Sequence, residues 1–439
     1  MLAFLLQVSA WLQGGQVYLF AMFMMLIWLL WLVRITLARH YRPCQASWTT
    51  TTSVIVPVVD EPLDLFRSVL ERIVEQRPTE VIVVINGPRN TSIEELCDDL
   101  AVRWAWTEKP GKRNALKIGV ELAKGEIAVL VDSDTVWTAT TLRELVKPFS
   151  DPGVGGVTTR QRILDPSRSV LTRWADWLEN IRNEYSMPAM SVLGTVGCLP
   201  GRTIAFRRSI LVQSMPRFLN EKFLGVFLEV SDDRTLTNYT LQAGYSTVYQ
   251  STSLVYTDAP TNLRVLAKQQ FRWARGSQYN TLRMLPWMLR NAPVLALFYI
   301  SDIVAPFILV GSFVSWTVSI MTGYKAALYD QLPLPEEPWR ALTYLLVLSL
   351  AMTLLSLAVR FGYHFAYRPN DLAYLPAFML INTLLLMPVR VLGFFRMAHN
   401  ASWGTRSNGF AGERKRNMLV AVPYVIGAAM LASSVLISV

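Results

Sequence analysis

Ser231-Asp232-Asp233-Arg234 places two adjacent carboxylates ahead of Thr235-Leu236-Thr237-Asn238-Tyr239, and Gln269-Gln270-Phe271-Arg272-Trp273 follows further along the chain. A carboxylate in such a setting can take the proton of a hydroxyl, while an Arg-Trp pair can fork onto a phosphate and offer a flat π face to a sugar ring. Other roles fit the same residues: Asp233 could pair with Arg234 in a structural ion pair, and Trp273 could be an aromatic anchor at a membrane interface. Asp132 and Asp134, in Val131-Asp132-Ser133-Asp134-Thr135, leave an apolar run one residue apart, a spacing at which two carboxylates can share Mn2+ or Mg2+. Standing alone, an Asp-x-Asp also fits a solvated turn with an Asx hydrogen bond. Lys109-Pro110-Gly111-Lys112-Arg113-Asn114 delivers Lys112 and Arg113 to the start of a helix, where they suit a phosphate or a basic surface turn. Asp60 and Glu61, at the exit of the first apolar run, are positioned to hydrogen-bond a ribose or base, or to cap a helix.

The elements that must hold these groups alternate in type. Thr51 to Val59 is a β-branched run, Leu63 to Glu75 has helical spacing, Glu80 to Ile85 reads as a buried strand, Ile93 to Ala101 as a helix and Ile127 to Val131 as another strand. Such alternation predicts a mostly parallel sheet with its ligand crevice at the carboxyl ends of the strands, where these motifs fall.

The chain has 439 residues, 52% of them apolar, and a net charge of +10. So much apolar content predicts a part in lipid. The basic residues are dispersed or flank apolar runs instead of forming a stripe with interleaved aromatics, so nucleic-acid binding is not expected. Cys44, Cys97 and Cys198 lack the spacing of a zinc site or a disulfide framework and read as reduced structural thiols.

Met1 to Val33 carries no charge, and Val17 to Val33 is dense enough in apolar residues to span a bilayer; Arg34, Arg39 and Arg42 follow it. The positive-inside rule then puts the N-terminus outside and the next domain in the cytosol. Leu263 to Arg290 mixes basic and apolar residues as amphipathic helices at a membrane surface do. Ala305 to Thr322 reads as an outward span and Ala341 to Val359 as its return. Leu372 to Phe395 contains Pro376 and Pro388, and crossing there would place Arg396, Arg414, Lys415 and Arg416 outside, so a broken or re-entrant helix with both ends cytosolic is expected. Met418 to Ser438 is the last span. The expected organisation is therefore an N-terminal transmembrane helix over 1–42, a cytosolic domain over 50–262, interfacial helices over 263–292 and a C-terminal membrane region over 293–439.

The Asp-Ser-Asp-Thr, Gly-Lys-Arg, Asp-Asp-Arg-x-Leu-Thr-Asn and Gln-x-x-Arg-Trp motifs, in this order, resemble the processive, membrane-embedded family 2 glycosyltransferases: hyaluronan, chitin and cellulose synthases and the nodulation chitooligosaccharide synthases. Asp232 to Tyr239, Thr247 to Thr252, Lys268 to Trp273 and Trp403-Gly404-Thr405-Arg406 look most like the bacterial single-chain hyaluronan synthases. The likeness is good over about residues 50–290 and looser in the C-terminal membrane part.

That resemblance implies an α/β glycosyltransferase-A-like domain joined to a helical transmembrane bundle, a nucleotide-sugar donor, a polysaccharide acceptor and outward passage of the polymer across the bilayer. It implies that Asp132 and Asp134 hold nucleotide and metal, that Asp233 is the general base, that Gln269, Arg272 and Trp273 line the acceptor and diphosphate site with Asp232, and that Trp403 and Arg406 belong to a loop closing over the donor. The chain departs from the family pattern at Ile85-Asn86-Gly87-Pro88, which lacks carboxylates expected at the nucleotide base, and at Pro200-Gly201-Arg202. The extra guanidinium of Arg202 suits a uronate carboxylate of the polymer, a diphosphate, or a partner acid within the protein. Two other functions fit parts of the pattern: transfer to a polyprenyl phosphate, and a transporter whose domain binds nucleotide.

Overall fold

The structure, a computed structural model, describes residues 19–322, 335–399 and 418–437. It divides into an α/β unit, 34–295 with 398–399, and a helical unit of 19–33, 296–322, 335–397 and 418–437.

In chain order the elements up to the end of the α/β unit are α1 (Leu19–His40), β1 (Thr52–Val58), α2 (Leu63–Val74), β2 (Glu80–Asn86), α3 (Thr91–Asp99), β3 (Arg103–Thr107), α4 (Lys112–Leu122), β4 (Ile127–Val131), β5 (Val136–Trp137) and α5 (Thr141–Val146). There follow β6 (Val154–Ile163), α6 (Val170–Ile181), α7 (Met187–Val192), β7 (Thr203–Arg207), α8 (Arg208–Leu219), β8 (Lys222–Phe223), β9 (Val226–Phe227), α9 (Asp232–Gln242), β10 (Ser246–Thr257) and α10 (Leu263–Asn291). The main sheet runs β3-β2-β1-β4-β7-β6-β10-β5. Its first four strands are parallel, as the alternation predicts; β7 then runs antiparallel to both β4 and β6, so the sheet is mixed.

β1 is buried at all seven positions, which explains its unbroken β-branched run. Pro57 sits in this central strand, paired with Val84. A proline there removes a ladder donor, and it is accommodated near the carboxyl end, where it becomes part of a pocket wall. α4 lies against β1 at Gly119, where an added Cβ would come within 2.3 Å of the Ile55 Cγ2. That close approach sets Lys112, at the amino end of α4, over the carboxyl edge of the sheet.

α10 is one continuous helix, where amphipathic interfacial helices were expected. Its middle, Gln278, Tyr279, Asn280 and Thr281, is buried within the α/β unit. Arg234 of α9 donates to Ser277 Oγ at 2.6 Å and to Thr281 Oγ1 at 2.7 Å, and Asn238 donates to Asn280 Oδ1 at 3.0 Å. Gly276 packs against the Ser231 turn, leaving only 2.7 Å between an added Cβ and the Ser231 Cβ. Leu263, Val265 and Leu289 stay exposed near its two ends.

The helical unit continues through α11 (Pro293–Thr322), α12 (Pro338–Arg360), α13 (Gly362–Tyr367), α14 (Leu375–Leu380), α15 (Met387–Phe395) and α16 (Val422–Ile437). By length and composition, five helices among the described residues could cross a membrane: Ala21–His40, Pro293–Val318, Pro338–Arg360, Pro369–Phe395 and Met418–Val435. Arg360 lies over the rings of Trp28, Trp31 and Phe361 at 5.6, 5.8 and 5.4 Å, an aromatic setting for a cation at the end of an apolar helix.

The segment expected to be broken at its prolines is not broken. It runs from a 3-10 turn at Pro369–Tyr374 through α14, a π-helical stretch at Ile381–Leu386 and α15 without a gap. Pro376 and Pro388 each occupy the first turn of an α-helical piece, and the wider π turns ahead of Pro388 make room for a ring that would clash in a regular helix. Beyond α15 the chain returns to the α/β unit, where Arg275 of α10 donates to the His399 carbonyl at 2.5 Å.

Gly119→Ala should lower stability by about 1–3 kcal/mol through overpacking against Ile55, read as a lower midpoint in thermal unfolding. An unchanged midpoint would mean that α4 is not seated at this contact.

Candidate active site

Gly111 adopts φ +116°, a conformation open to glycine and costly for any side chain, and this turns the chain sharply into α4. The first two residues of α4 then point to different places. Lys112 reaches the pocket and pairs with Asp132. Burial pushes its ammonium down, yet Asp132, Asp232 and Asp233 together outweigh that and hold it above the ordinary lysine range.

Arg113, expected at a phosphate, turns inward. It is 1% exposed and donates to Asp232 Oδ1 at 2.7 Å, the Phe218 carbonyl at 2.7 Å and Glu221 Oε2 at 2.6 Å. A guanidinium whose fork is filled by the protein's own oxygens has none left for a donor. Asp232, expected beside the acceptor, is buried in this pair and also lines the pocket that holds Asp233.

Asp132 leaves β4 with its amide bonded to the Arg202 carbonyl at 3.0 Å, which extends the β4–β7 pairing by one residue and brings Gly201 alongside. Ser133 donates to Glu61 at 2.9 Å, so the end of β1 is tied to the Asp-Ser-Asp turn. Asp60 is exposed. Burial, then the charges of Asp132 and Glu61, push the Asp134 carboxyl up to about 6, with Arg202 and Lys112 pulling against them. Negative charge is thus in excess at this turn, as suits a divalent cation. Among the described residues no group of three or more His, Cys, Asp or Glu side chains forms a full protein cage for a metal. Two carboxylates with the remaining positions left to water and phosphate is the usual arrangement for a hard cation at a nucleotide.

Asp233 lies half-buried at the mouth of the same pocket, which is also lined by Lys112, Asp132, Gly201 and Leu236. Its Oδ1 accepts from the Arg234 amide at 2.8 Å and from Ser231 Oγ at 3.2 Å, and its Oδ2 accepts from the Gly201 amide at 3.2 Å. The Arg234 guanidinium donates to Ser277 and Thr281 of α10, and among the described residues no side-chain ion pair joins it to Asp233. The Cys198 thiol is 3.9 Å from Oδ2 and is pushed up to about 12 by burial and by that carboxylate, which keeps it a neutral neighbour.

On α10, Gln269, Arg272, Trp273 and Gly276 share one face by their spacing. Burial pulls the Arg272 guanidinium below the usual arginine range, against the opposing pull of Asp233, Asp132 and Asp232. Trp273 is 37% exposed and Gln269 half-buried. Trp403 and Arg406 lie outside the described residues.

Arg202 is met by the protein itself. It donates to Glu179 at 2.8 Å and to Gln161 at 2.8 Å, and Arg182 flanks the same carboxylate at 3.0 Å. Despite burial, Arg182 and Arg202 hold Glu179 below the usual carboxylate range. The extra guanidinium therefore has a partner acid within the protein, in Glu179.

Sequence reasoning did not reach Glu179, Glu221, Tyr279, Arg283 or the Gly201 amide. The one signal for the α10 residues was the run Gln278-Tyr279-Asn280-Thr281, too polar for a helix face laid on lipid.

Because folding raises the proton affinity of Asp134, the folded chain binds more protons than the unfolded one up to about pH 6, and stability falls as pH rises through that window. Asp134→Asn should therefore raise the thermal midpoint of metal-free protein at neutral pH, with the gain fading in acid. A pH-independent gain would remove the charge crowding from the explanation.

Comparison with known proteins accords with this geometry. A hyaluronan synthase of Streptococcus pyogenes is 25% identical over 367 residues, covering 81% of this chain and 83% of its own. An N-acetylglucosaminyltransferase of Mesorhizobium japonicum is 26% identical over 378 residues, covering 83% and 84%. Among solved structures, the mannosyltransferase PcManGT from Pyrobaculum calidifontis, in complex with GDP-Man and Mn2+, superposes with a TM-score of 0.52 at 21% identity over 83% of this chain and 98% of that one, a likeness of fold. The model of the family described as glycosyltransferase like family 2 matches residues 50–276, more than half of the chain and every element from β1 to the middle of α10, and this chain belongs to that family.

Proposed function

We propose that this glycosyltransferase is an inverting polysaccharide synthase, which adds sugars from a nucleotide donor, UDP-linked by analogy with its relatives, to a chain that it passes outward through the membrane. What supports this reading is the meeting of Asp233 and the Lys112–Asp132 pair in one pocket, together with similarity to hyaluronan synthase and N-acetylglucosaminyltransferase along most of the chain.

In this mechanism Asp233 takes the proton of the acceptor hydroxyl as its oxygen bonds to the anomeric carbon, and the bond from that carbon to the diphosphate breaks on the opposite face. Gly201 and Arg234 amides hold the carboxylate at a fixed angle during this exchange. Lys112 and Arg272 meet the charge that grows on the departing nucleoside diphosphate. Asp132 and Asp134 would hold a divalent cation, Mn2+ or Mg2+, which when bound neutralises the diphosphate. Trp273, exposed above Arg272 on the helix, offers its face to the acceptor sugar. No covalent intermediate is needed.

For the membrane we propose a multi-pass protein of the plasma (inner) membrane with an outside N-terminus, a cytosolic α/β unit, and a 372–395 segment whose two ends share the cytosolic side. The bond from Arg275 to His399 supports the last point, since it holds the chain beyond α15 to α10.

Asp233→Asn should leave donor binding near that of the parent and cut turnover by roughly 10²–10⁴-fold, measured with a panel of nucleotide sugars plus Mn2+ or Mg2+ and analysis of product length. Substantial polymerisation by the variant would move the base elsewhere, and a lipid-linked single sugar as product would replace the polymerase reading. A cysteine introduced at Glu336 should react with an impermeant reagent from outside, and one at Asn408 should be protected. Labelling at Asn408 would make 372–395 a crossing.

A further inference from the structure

Resting on the reading of Asp233 as the base, we propose that Arg113 is a positioning residue of the transfer reaction, which sets the aim of Asp233 through the neighbouring carboxylate of Asp232. Arg113 sits one residue from the pocket lysine and Asp232, itself part of the pocket wall, one residue from the base, and the two are joined by a bond of 2.7 Å. Glu221, fully buried, is the second anion of the cluster. It pairs with Arg283, and it accepts from Thr235 Oγ1 at 3.0 Å and from Tyr279 at 3.4 Å. Two cations thus meet two anions, with Arg113 and Glu221 closed off from water, Arg283 at the cluster's partly exposed edge, and the Phe218 ring under the Arg113 guanidinium at 4.5 Å.

Such a cluster is a poor device for stability alone, because the desolvation of four charges offsets most of their attraction, and apolar side chains of similar volume do as well. Its distinctive property is direction. The planar fork of Arg113 fixes three oxygens from separate stretches, Phe218, Glu221 and Asp232, in one plane. Asp232 opens α9, so fixing its carboxylate fixes the rotation of the first turn and with it the direction of Asp233. The same Glu221 reaches Tyr279 and Arg283 on α10, the helix that carries Arg272. Base and diphosphate cation are thereby referred to one internal charge.

The test exploits the fact that a residue acting through Asp233 has nothing to act through once that carboxylate is removed. Arg113→Lys keeps the charge and loses the planar fork. Turnover should fall by about 10- to 100-fold, while KM for the donor and Kd for the nucleoside diphosphate stay within about twofold of the parent. In an Asp233→Asn background the same substitution should cost no more than about twofold further. Losses that multiply in the double variant, or a raised KM with turnover kept, would overturn the positioning role and leave the base assignment standing. An Asp233→Asn protein with parental turnover would instead overturn the base assignment, and the proposal with it. Should Arg113→Lys fail to fold, Asp232→Asn serves in its place, because its amide oxygen can still accept from Arg113 Nε. It should show a smaller loss that likewise vanishes in the Asp233→Asn background; a raised acceptor KM with unchanged turnover would return Asp232 to acceptor binding and refute the proposal.

Discussion

A guanidinium closed off from water is tolerable only when its charge and its N–H groups are all answered, and the α/β unit is arranged around meeting that condition for Arg113. The answering oxygens come from the end of α8, from Glu221 before β8 and from the first residue of α9. Glu221 then draws in Tyr279 and Arg283 from α10. Four stretches remote in sequence are held by one balanced set of charges, and removal of any member leaves a buried ion uncompensated. The pocket lies directly in front of this set and inherits its geometry.

The motifs of this chain set charged or polar groups side by side, and neighbours take different partners. Lys112 pairs with Asp132 and Arg113 with Glu221 and Asp232; Asp232 and Asp233 both line the pocket, but Asp232 is bound by Arg113 and Asp233 by the Gly201 amide, while Arg202 turns to Glu179. Successive residues at the start of a helix project about 100° apart, so adjacent identical charges meet different partners.

In front of the anchors the field is negative. Asp132, Asp134, Glu61 and Asp233 outnumber Lys112 and Arg272, and the push on Asp134 records the imbalance. A diphosphate brought to that place, as proposed above, would add more negative charge and call for a cation between it and the Asp-Ser-Asp turn. In the helical unit the constraint is different, since there the backbone must satisfy itself. The π-helical stretch at Ile381–Leu386 keeps the backbone ladder running through a segment interrupted by two prolines.

By itself the sequence determined what depends on near neighbours: the buried parallel strands β1, β2 and β4, the helices between them, the apolar segments, and the placement of Asp132, Lys112 and Asp233 at strand exits and helix starts. Strand runs, helical periodicity and turn residues are local properties, so they can be read without knowing what packs where. Only the tertiary structure decided which of these charges the protein itself engages, because that rests on partners such as Glu221 and Glu179 that lie far along the chain. The antiparallel insertion of β7, the polar seat of α10 against α9 and the unbroken helix through Pro376 and Pro388 belong to the same class. Each is settled by contacts or backbone adjustments that no local pattern announces.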